Sequence, residues 1–377
     1  MRPLLVDLGR DFRGGQHQAL LLLEGLLARG HAPELMAVRD FPLARRAKDA
    51  GISVHGVAPG CRRIAATMQI RHLIHSNKVD LVHANEPHAL SAAWLACAHR
   101  AVPVIAARRI AIPLSPSFFS RARYRAAARI VAVSRFVAQS VIASGLPTGC
   151  VEVIYDGVEI PAALSAADRE TSRGRIGIPR ESWCIGNAAA FVPEKGHALL
   201  VRAFAALRGT MREDARKASR NLPGAEAASC FLLLRGDGPE LAAMRELATQ
   251  LQILDAVKFL PQDTDLKTLF AATDCFAFPS HAEPLGSALL AAMAQGLAPV
   301  AIARGGIPEV IEHEKNGLLV NSLDPEAFAA ALALLAANPE QASLFGRAAR
   351  ETIATRFSAD HMVDATLQLY ERVRFKM

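Results

Sequence analysis

Short apolar runs alternate with amphipathic, helix-like segments along most of the chain. In the first half the runs are Pro3 to Leu8, Leu35 to Val38, Ser53 to Val57, Leu81 to His83, Val104 to Ala106, Ile130 to Val133 and Val151 to Ile154. Each is too short for a helix and suits a buried strand. After the first run, Leu20, Leu23 and Leu27 recur at helical spacing and predict a helix from about Gln16 to Arg29, ended by Gly30. The pattern breaks into a turn-rich stretch around Asp156 to Asp168. A second series then begins with Cys184 to Ala189, Phe231 to Leu234, Val257 to Leu260, Cys275 to Phe278 and Leu297 to Ala303. Strands alternating with helices predict parallel sheets and the α/β class. At 377 residues the chain exceeds one ordinary core. Two domains are therefore expected, 1–165 and 166–357, with an amphipathic last helix (about 358–377) crossing back onto the first.

The segment from Phe276 to Val320 concentrates the candidate chemistry. Pro284, Leu285, Gly286 and Ser287 open a helix running to about Gln295, and Gly296 sits where a left-handed cap is needed. Gly305 and Gly306 predict a turn into a second helix with Pro308 in its first turn. A helix that starts at the carboxyl edge of a parallel strand gathers unpaired N–H groups and the positive end of its dipole, which is an anion site. Glu283 beside it is of little use to a phosphate, but suits the hydroxyls of something attached to one.

The chain opens in the same way, as strand, glycine-bearing loop and helix, where Gly14 and Gly15 allow close approach of a ligand. The dinucleotide pattern GxGxxG is absent throughout, which argues against an oxidoreductase using such a cofactor. His83, Asn85, Glu86 and His88 cluster at the end of one predicted strand, and Arg108 and Arg109 at the end of the next. This is the edge where such folds place their chemistry. His72 and His75 read as surface residues of a helix. The polar segment from Gly209 to Ala228 reads as a mobile excursion.

Composition narrows the classes. Six scattered cysteines without a CxxC pair give neither a zinc site nor a disulfide framework and fit a reducing compartment. The N-terminus lacks a signal-peptide run and no unbroken apolar stretch reaches membrane-spanning length, so a cytoplasmic protein is expected. The net charge of +7 is unevenly spread: residues 1–160 hold 20 Lys and Arg against 11 Asp and Glu, and the remainder 23 against 25. An anionic membrane surface, such as the inner face of the cytoplasmic membrane, or an acidic acceptor would meet that excess. Ile112 to Phe119 reads as a Pro/Ser-containing loop that exposes Phe118 and Phe119 beside the Arg121 to Arg129 cluster, and suits either a membrane or an amphiphilic acceptor. Sparse aromatic interleaving and the lack of a motif read against nucleic acid.

Several runs together are similar to a known family. VPEKGHALLVRAFAAL, LLLRGDGPE and the stretch from VKFLPQDTDLKTLF to NGLLV resemble the C-terminal domain of retaining glycosyltransferases of family 4 (glycosyl transferases group 1). GGQHQALLLLEGLLARGH, DLVHANEPHAL and IVAVSRFVAQSVIASG resemble that family's acceptor domain, most closely in its bacterial lipopolysaccharide-type members. The resemblance implies the GT-B fold, in which two Rossmann-like domains face across a cleft. It also implies transfer from a nucleotide diphosphate sugar to a cell-envelope glycan or glycolipid, with no metal and no other cofactor. Carried over by position, Lys195 is the cation on the donor diphosphate and Glu283 bonds the transferred sugar. Leu285, Gly286 and Ser287 offer backbone N–H groups, Gly15 closes on the diphosphate, and Gly236 and Leu260 line the nucleoside pocket. His83, Asn85, His88 and Arg109 fall on the acceptor side.

The chain departs from the family pattern at three positions. Ala291 stands where the second acid of E-x7-E holds the ribose, Ala190 where an arginine accompanies the lysine, and Asn85 where many members carry a histidine. These departures leave open a catalytically degenerate binding protein. A sugar-nucleotide epimerase of the same architecture would need paired acid/base groups around the sugar, and only Glu283 is evident.

Overall fold

The structure, a computed structural model, describes residues 1–221 and 229–375. The chain forms two compact units, one comprising Met1–Gly157 with Phe357–Met377 and the other Val158–Arg356.

The first unit is built on seven strands: β1 (Pro3–Asp7), β2 (Glu34–Val38), β3 (Ser53–Val57), β4 (Leu81–Ala84), β5 (Val104–Arg108), β6 (Arg129–Ala132) and β7 (Val151–Val153). They lie in the order β3-β2-β1-β4-β5-β6-β7, every pairing parallel. Near-continuous burial of β1, β4 and β5 explains why their sequences are apolar runs rather than alternating ones. The strand order reverses between β1 and β4, so their carboxyl ends open a crevice at the switch point. The helix Ala359–Arg374 completes this unit. It lies against the helix Gly14–Ala28, where Gly25 leaves room for Val363 and Arg29 pairs with Asp360 and Asp364.

The second unit has six strands: β8 (Trp183–Ala188), β9 (Cys230–Arg235), β10 (Val257–Leu260), β11 (Cys275–Phe278), β12 (Ala298–Ile302) and β13 (Leu318–Val320). Their order is β10-β9-β8-β11-β12-β13, again parallel, with the switch point between β8 and β11. Phe191, Phe204, Phe328 and the leucines of β9 fill its core.

Two expectations need correction. The helix expected after Gly305 and Gly306 is a single 3-10 turn, Ile307–Glu309. Both glycines are held against the preceding loop, with the Gly306 N–H donating to the Glu283 carbonyl at 2.9 Å, so the chain cannot rise into a longer helix there. The expected excursion from Gly209 is in large part helix, which runs continuously over His197–Asn221. The rest of that segment, 222–228, lies outside the described residues.

Candidate functional site

In the second unit, two loops leave the carboxyl ends of β8 and β11 at the switch point. The β8 loop carries Lys195 at the end of a 3-10 turn, Pro193–Lys195, and the β11 loop carries Glu283. A backbone bond from the His281 N–H to the Glu194 carbonyl (3.1 Å) ties the loops together. The Lys195 ammonium and the Glu283 carboxylate form an ion pair at 2.5 Å, and both are largely withdrawn from solvent. Ser280 Oγ lies 3.2 Å from the same Glu283 oxygen and from the Glu194 carbonyl, which fixes the carboxylate from below.

The helix Ser287–Ala294 begins immediately beyond. Gly286 caps it with φ of +99°, and a Cβ there would press on the Phe278 ring and Ile307. Glycine is therefore required for the sharp entry that aims the first helical turn at the loop. Leu285 buries its side chain and Ser287 is exposed, so both present the backbone of a turn whose N–H groups have no intrahelical acceptor. Gly305, at φ of +62°, passes so close to the Glu283 carbonyl that a Cβ would stand 2.1 Å from it. The predicted donor residues Lys195, Glu283, Leu285, Gly286 and Ser287 are thus brought together. Gly236 and Leu260 meet at the ends of β9 and β10, where the Gly236 N–H donates to the Leu260 carbonyl at 3.1 Å. Ala190 is exposed on the β8 loop, and Ala291 lies one turn after Ser287 on the same helix face.

In the first unit, the switch point holds a buried polar network. Asp7, fully buried at the end of β1, accepts from Asn85 Nδ2 at 2.6 Å, from Gln16 Nε2 at 3.0 Å and from the Gly9 N–H at 2.8 Å. Asn85 Nδ2 also donates to the Gly15 carbonyl at 3.1 Å, and Asn85 Oδ1 accepts from Arg109 Nη1 at 2.5 Å. Arg109 Nε donates to Asp156 at 3.1 Å. Burial pushes the Asp156 carboxyl up, and the Arg109 charge opposes that. Three predicted residues, Gly15, Asn85 and Arg109, therefore share one network. Asp7, Gln16 and Asp156 complete it and were not singled out from sequence. A lone acid at the end of an apolar strand is the signal that could have found Asp7.

The neighbouring groups have other tasks. Glu86 caps the helix Pro87–Leu95, accepting from the His88 and Ala89 N–H groups at 2.6 Å each. Burial, with Asp7 nearby, raises its pKa to about 6. His88 is largely exposed, and partial desolvation, with the charges of Arg62, Arg63 and Arg123 nearby, lowers its pKa. His83 stands apart from the network: it is buried, with Nδ1 2.6 Å from the Tyr370 hydroxyl of the last helix. Burial, reinforced by Arg109, lowers its pKa to about 3. It is a neutral link to the C-terminal helix rather than a group presented at the crevice.

Two family profiles together match most of the chain. "Glycosyltransferase Family 4" covers residues 12–160 and "Glycosyl transferases group 1" covers 168–352. The chain belongs to the family 4 glycosyltransferases. Among curated relatives of this glycosyltransferase chain, the D-inositol 3-phosphate glycosyltransferase of Saccharomonospora viridis is 33% identical over 226 residues, 58% of this chain and 49% of that protein. The lipopolysaccharide core biosynthesis glycosyltransferase LpsE of Rhizobium meliloti is 29% identical over 197 residues, 52% of each chain. The matched region thus spans about half the length of these relatives. Among solved structures, Anabaena HepE in complex with UDP-glucose superposes with a TM-score of 0.79 at 22% identity, covering 99% of this chain and 100% of that one. The fold is therefore GT-B.

Proposed function

We propose that the protein is a retaining glycosyltransferase that moves a sugar from a nucleotide diphosphate sugar to a lipopolysaccharide-like or other cell-envelope glycan or glycolipid. The observation that carries this reading is the Lys195–Glu283 pair set at the amide-rich start of the helix Ser287–Ala294. One cation and a helix N-terminus suit a diphosphate. A carboxylate steadied by Ser280 suits sugar hydroxyls. The UDP-glucose complex of a fold neighbour and the lipopolysaccharide-core relatives favour the donor class and the acceptor class respectively.

In the proposed reaction the acceptor hydroxyl attacks the anomeric carbon from the face that the diphosphate leaves, and the departing phosphate oxygen takes the hydroxyl proton. Lys195 and the helix amides stabilise the charge that builds on that phosphate, with no metal needed for this task. No strong protein base is then required, which accords with Asn85 being committed on both sides of its amide to Asp7, Gly15 and Arg109. The basic first unit suits an anionic acceptor and a peripheral station on the cytoplasmic membrane. No described helix is long and apolar enough to cross a bilayer.

A donor-hydrolysis screen over common nucleotide sugars tests the proposal. Slow release of sugar from one donor supports it. Calorimetry showing no binding of any donor would instead favour an accessory protein, the reading that Ala190 and Ala291 favour.

A further inference from the structure

Between Asp49 and Glu152 the chain carries twelve Arg and Lys but only two acids, Asp80 and Glu86. Both acids are spent internally. Asp80 accepts from the Arg2 backbone and guanidinium, and Glu86 caps a helix. Three helices from this stretch, Arg62–His75, Pro87–Leu95 and Phe118–Arg125, contain no acidic residue at all. They are neighbours: Thr67 Oγ1 reaches the Ala92 carbonyl at 3.4 Å, and Arg123 Nη1 donates to Ser91 Oγ at 2.6 Å.

The same three helices leave large apolar side chains in solvent. Phe118 and Phe119 are 78% and 67% exposed, and Met68 and Ile64 are 68% and 63% exposed. Leu95 is exposed as well. The two phenylalanines pack edge-on to each other, ring centres 5.9 Å apart, and Phe119 packs on Trp94 at 6.3 Å. Isolated exposed apolar residues need no explanation, but a group of them on adjoining acid-free helices, two of which carry arginines, does.

We infer that this face, formed by the helices Arg62–His75, Pro87–Leu95 and Phe118–Arg125, docks on an anionic lipid bilayer. Phe118 and Phe119 enter the interfacial layer, while Arg62, Arg63, Arg121 and Arg125 meet the headgroups. A solvated polyanion such as nucleic acid would use the arginines but gives no reason for bare Phe118, Phe119 and Met68. A bilayer uses both, because aromatic and aliphatic groups partition into its interface while each basic residue adds attraction to anionic lipid. The inference specifies the surface behind the peripheral placement proposed above, and it stands whether or not the chain turns over a donor.

The test is flotation of the full chain with phosphatidylcholine vesicles, with and without about one-third phosphatidylglycerol. The protein is expected to float with the anionic vesicles only and to be released in part by high salt. F118S/F119S, and separately R121E/R125E, should each lower the apparent vesicle affinity at least about tenfold, with donor hydrolysis unchanged. All four side chains are solvent-facing, so folding is retained. As a second readout, F118W should shift its emission to the blue and become protected from a soluble quencher on anionic vesicles. No flotation of the wild-type chain would overturn the inference. So would flotation that neither double variant weakens, or duplex DNA binding that competes with the vesicles and ignores the phenylalanines. If flotation holds while no donor is hydrolysed, the docking face stands and the transferase reading falls.

Discussion

Lys195 and Glu283 hold each other at 2.5 Å across the switch point of the second sheet, although 88 positions separate them in the chain. Each neutralises the other, and Ser280 keeps the carboxylate in place. A diphosphate sugar must therefore draw the ammonium towards phosphate while Glu283 turns to the sugar hydroxyls.

This exchange sets opposite expectations for the two side chains. Lys195→Ala should weaken binding of the nucleoside diphosphate about ten- to a hundredfold, the worth of one charge-assisted contact. Glu283→Ala should abolish transfer yet leave nucleoside diphosphate affinity equal or better, since Lys195 is released. Calorimetry on both variants, with thermal unfolding to check the fold, measures this. Wild-type transfer by Glu283→Ala would remove the site assignment.

Ala291 gives the second prediction. It lies half-buried one helical turn from Ser287, on the same helix face. Ala291→Glu should supply the missing ribose acceptor and tighten donor binding about ten- to a hundredfold, as a charged hydrogen bond contributes about 1.5–3 kcal/mol. Unchanged affinity would mean that the ribose is held elsewhere.

Much of the fold was legible because parallel strands buried on both faces announce themselves as apolar runs. The predicted bounds of β3, β10 and β11 match those observed. What sequence could not show were the pairings that place distant residues side by side. Asp7 reads as the polar end of a strand until β1 is set beside β4, which brings Asn85 within 2.6 Å. His83 reads as a crevice residue until a helix from the far end of the chain covers it with Tyr370. The glycine pair at Gly305 reads as a helix entry because its tie to the Glu283 carbonyl is tertiary. Local reading placed Glu283 and Gly286 at the start of one helix, and the family resemblance added Lys195, which the fold brings to 2.5 Å from Glu283.

The Asn85 network gives a third prediction, in which stability and chemistry separate. Asn85 bonds Asp7, the Gly15 carbonyl and Arg109 at once, so Asn85→Ala leaves buried groups short of partners. A cost of about 1–3 kcal/mol in urea unfolding is expected, with donor affinity little changed. Asn85→Asp sets a second carboxylate against the buried Asp7. Its deficit should be larger at neutral pH than in mild acid, where one of the pair takes a proton. A deficit independent of pH would show that Asp7 and residue 85 do not meet.

The last prediction concerns acid stability. Burial keeps His83 neutral, lowering its pKa from the ordinary 6.5 to about 3, and His197, stacked on Phe191, is lowered to about 4. Below pH 6.5 the unfolded chain binds protons at these rings that the folded chain refuses. Each therefore removes stability as pH falls, by up to about 1.4 kcal/mol per pH unit. Glu86 acts the other way, since its raised value near 6 lets the folded chain hold a proton between about pH 4.5 and 6 that the unfolded chain has lost. For these three groups the sum over that window is close to one proton taken up on unfolding, and the lowered His31, His88 and His99 act in the same direction, so stability should decline from pH 6.5 towards 5. His83→Leu should lower stability at every pH by leaving the Tyr370 hydroxyl without its partner, and should remove one proton from the slope. Urea unfolding at several pH values reads both effects. A slope unaltered by His83→Leu would mean that the ring is not held neutral by the fold.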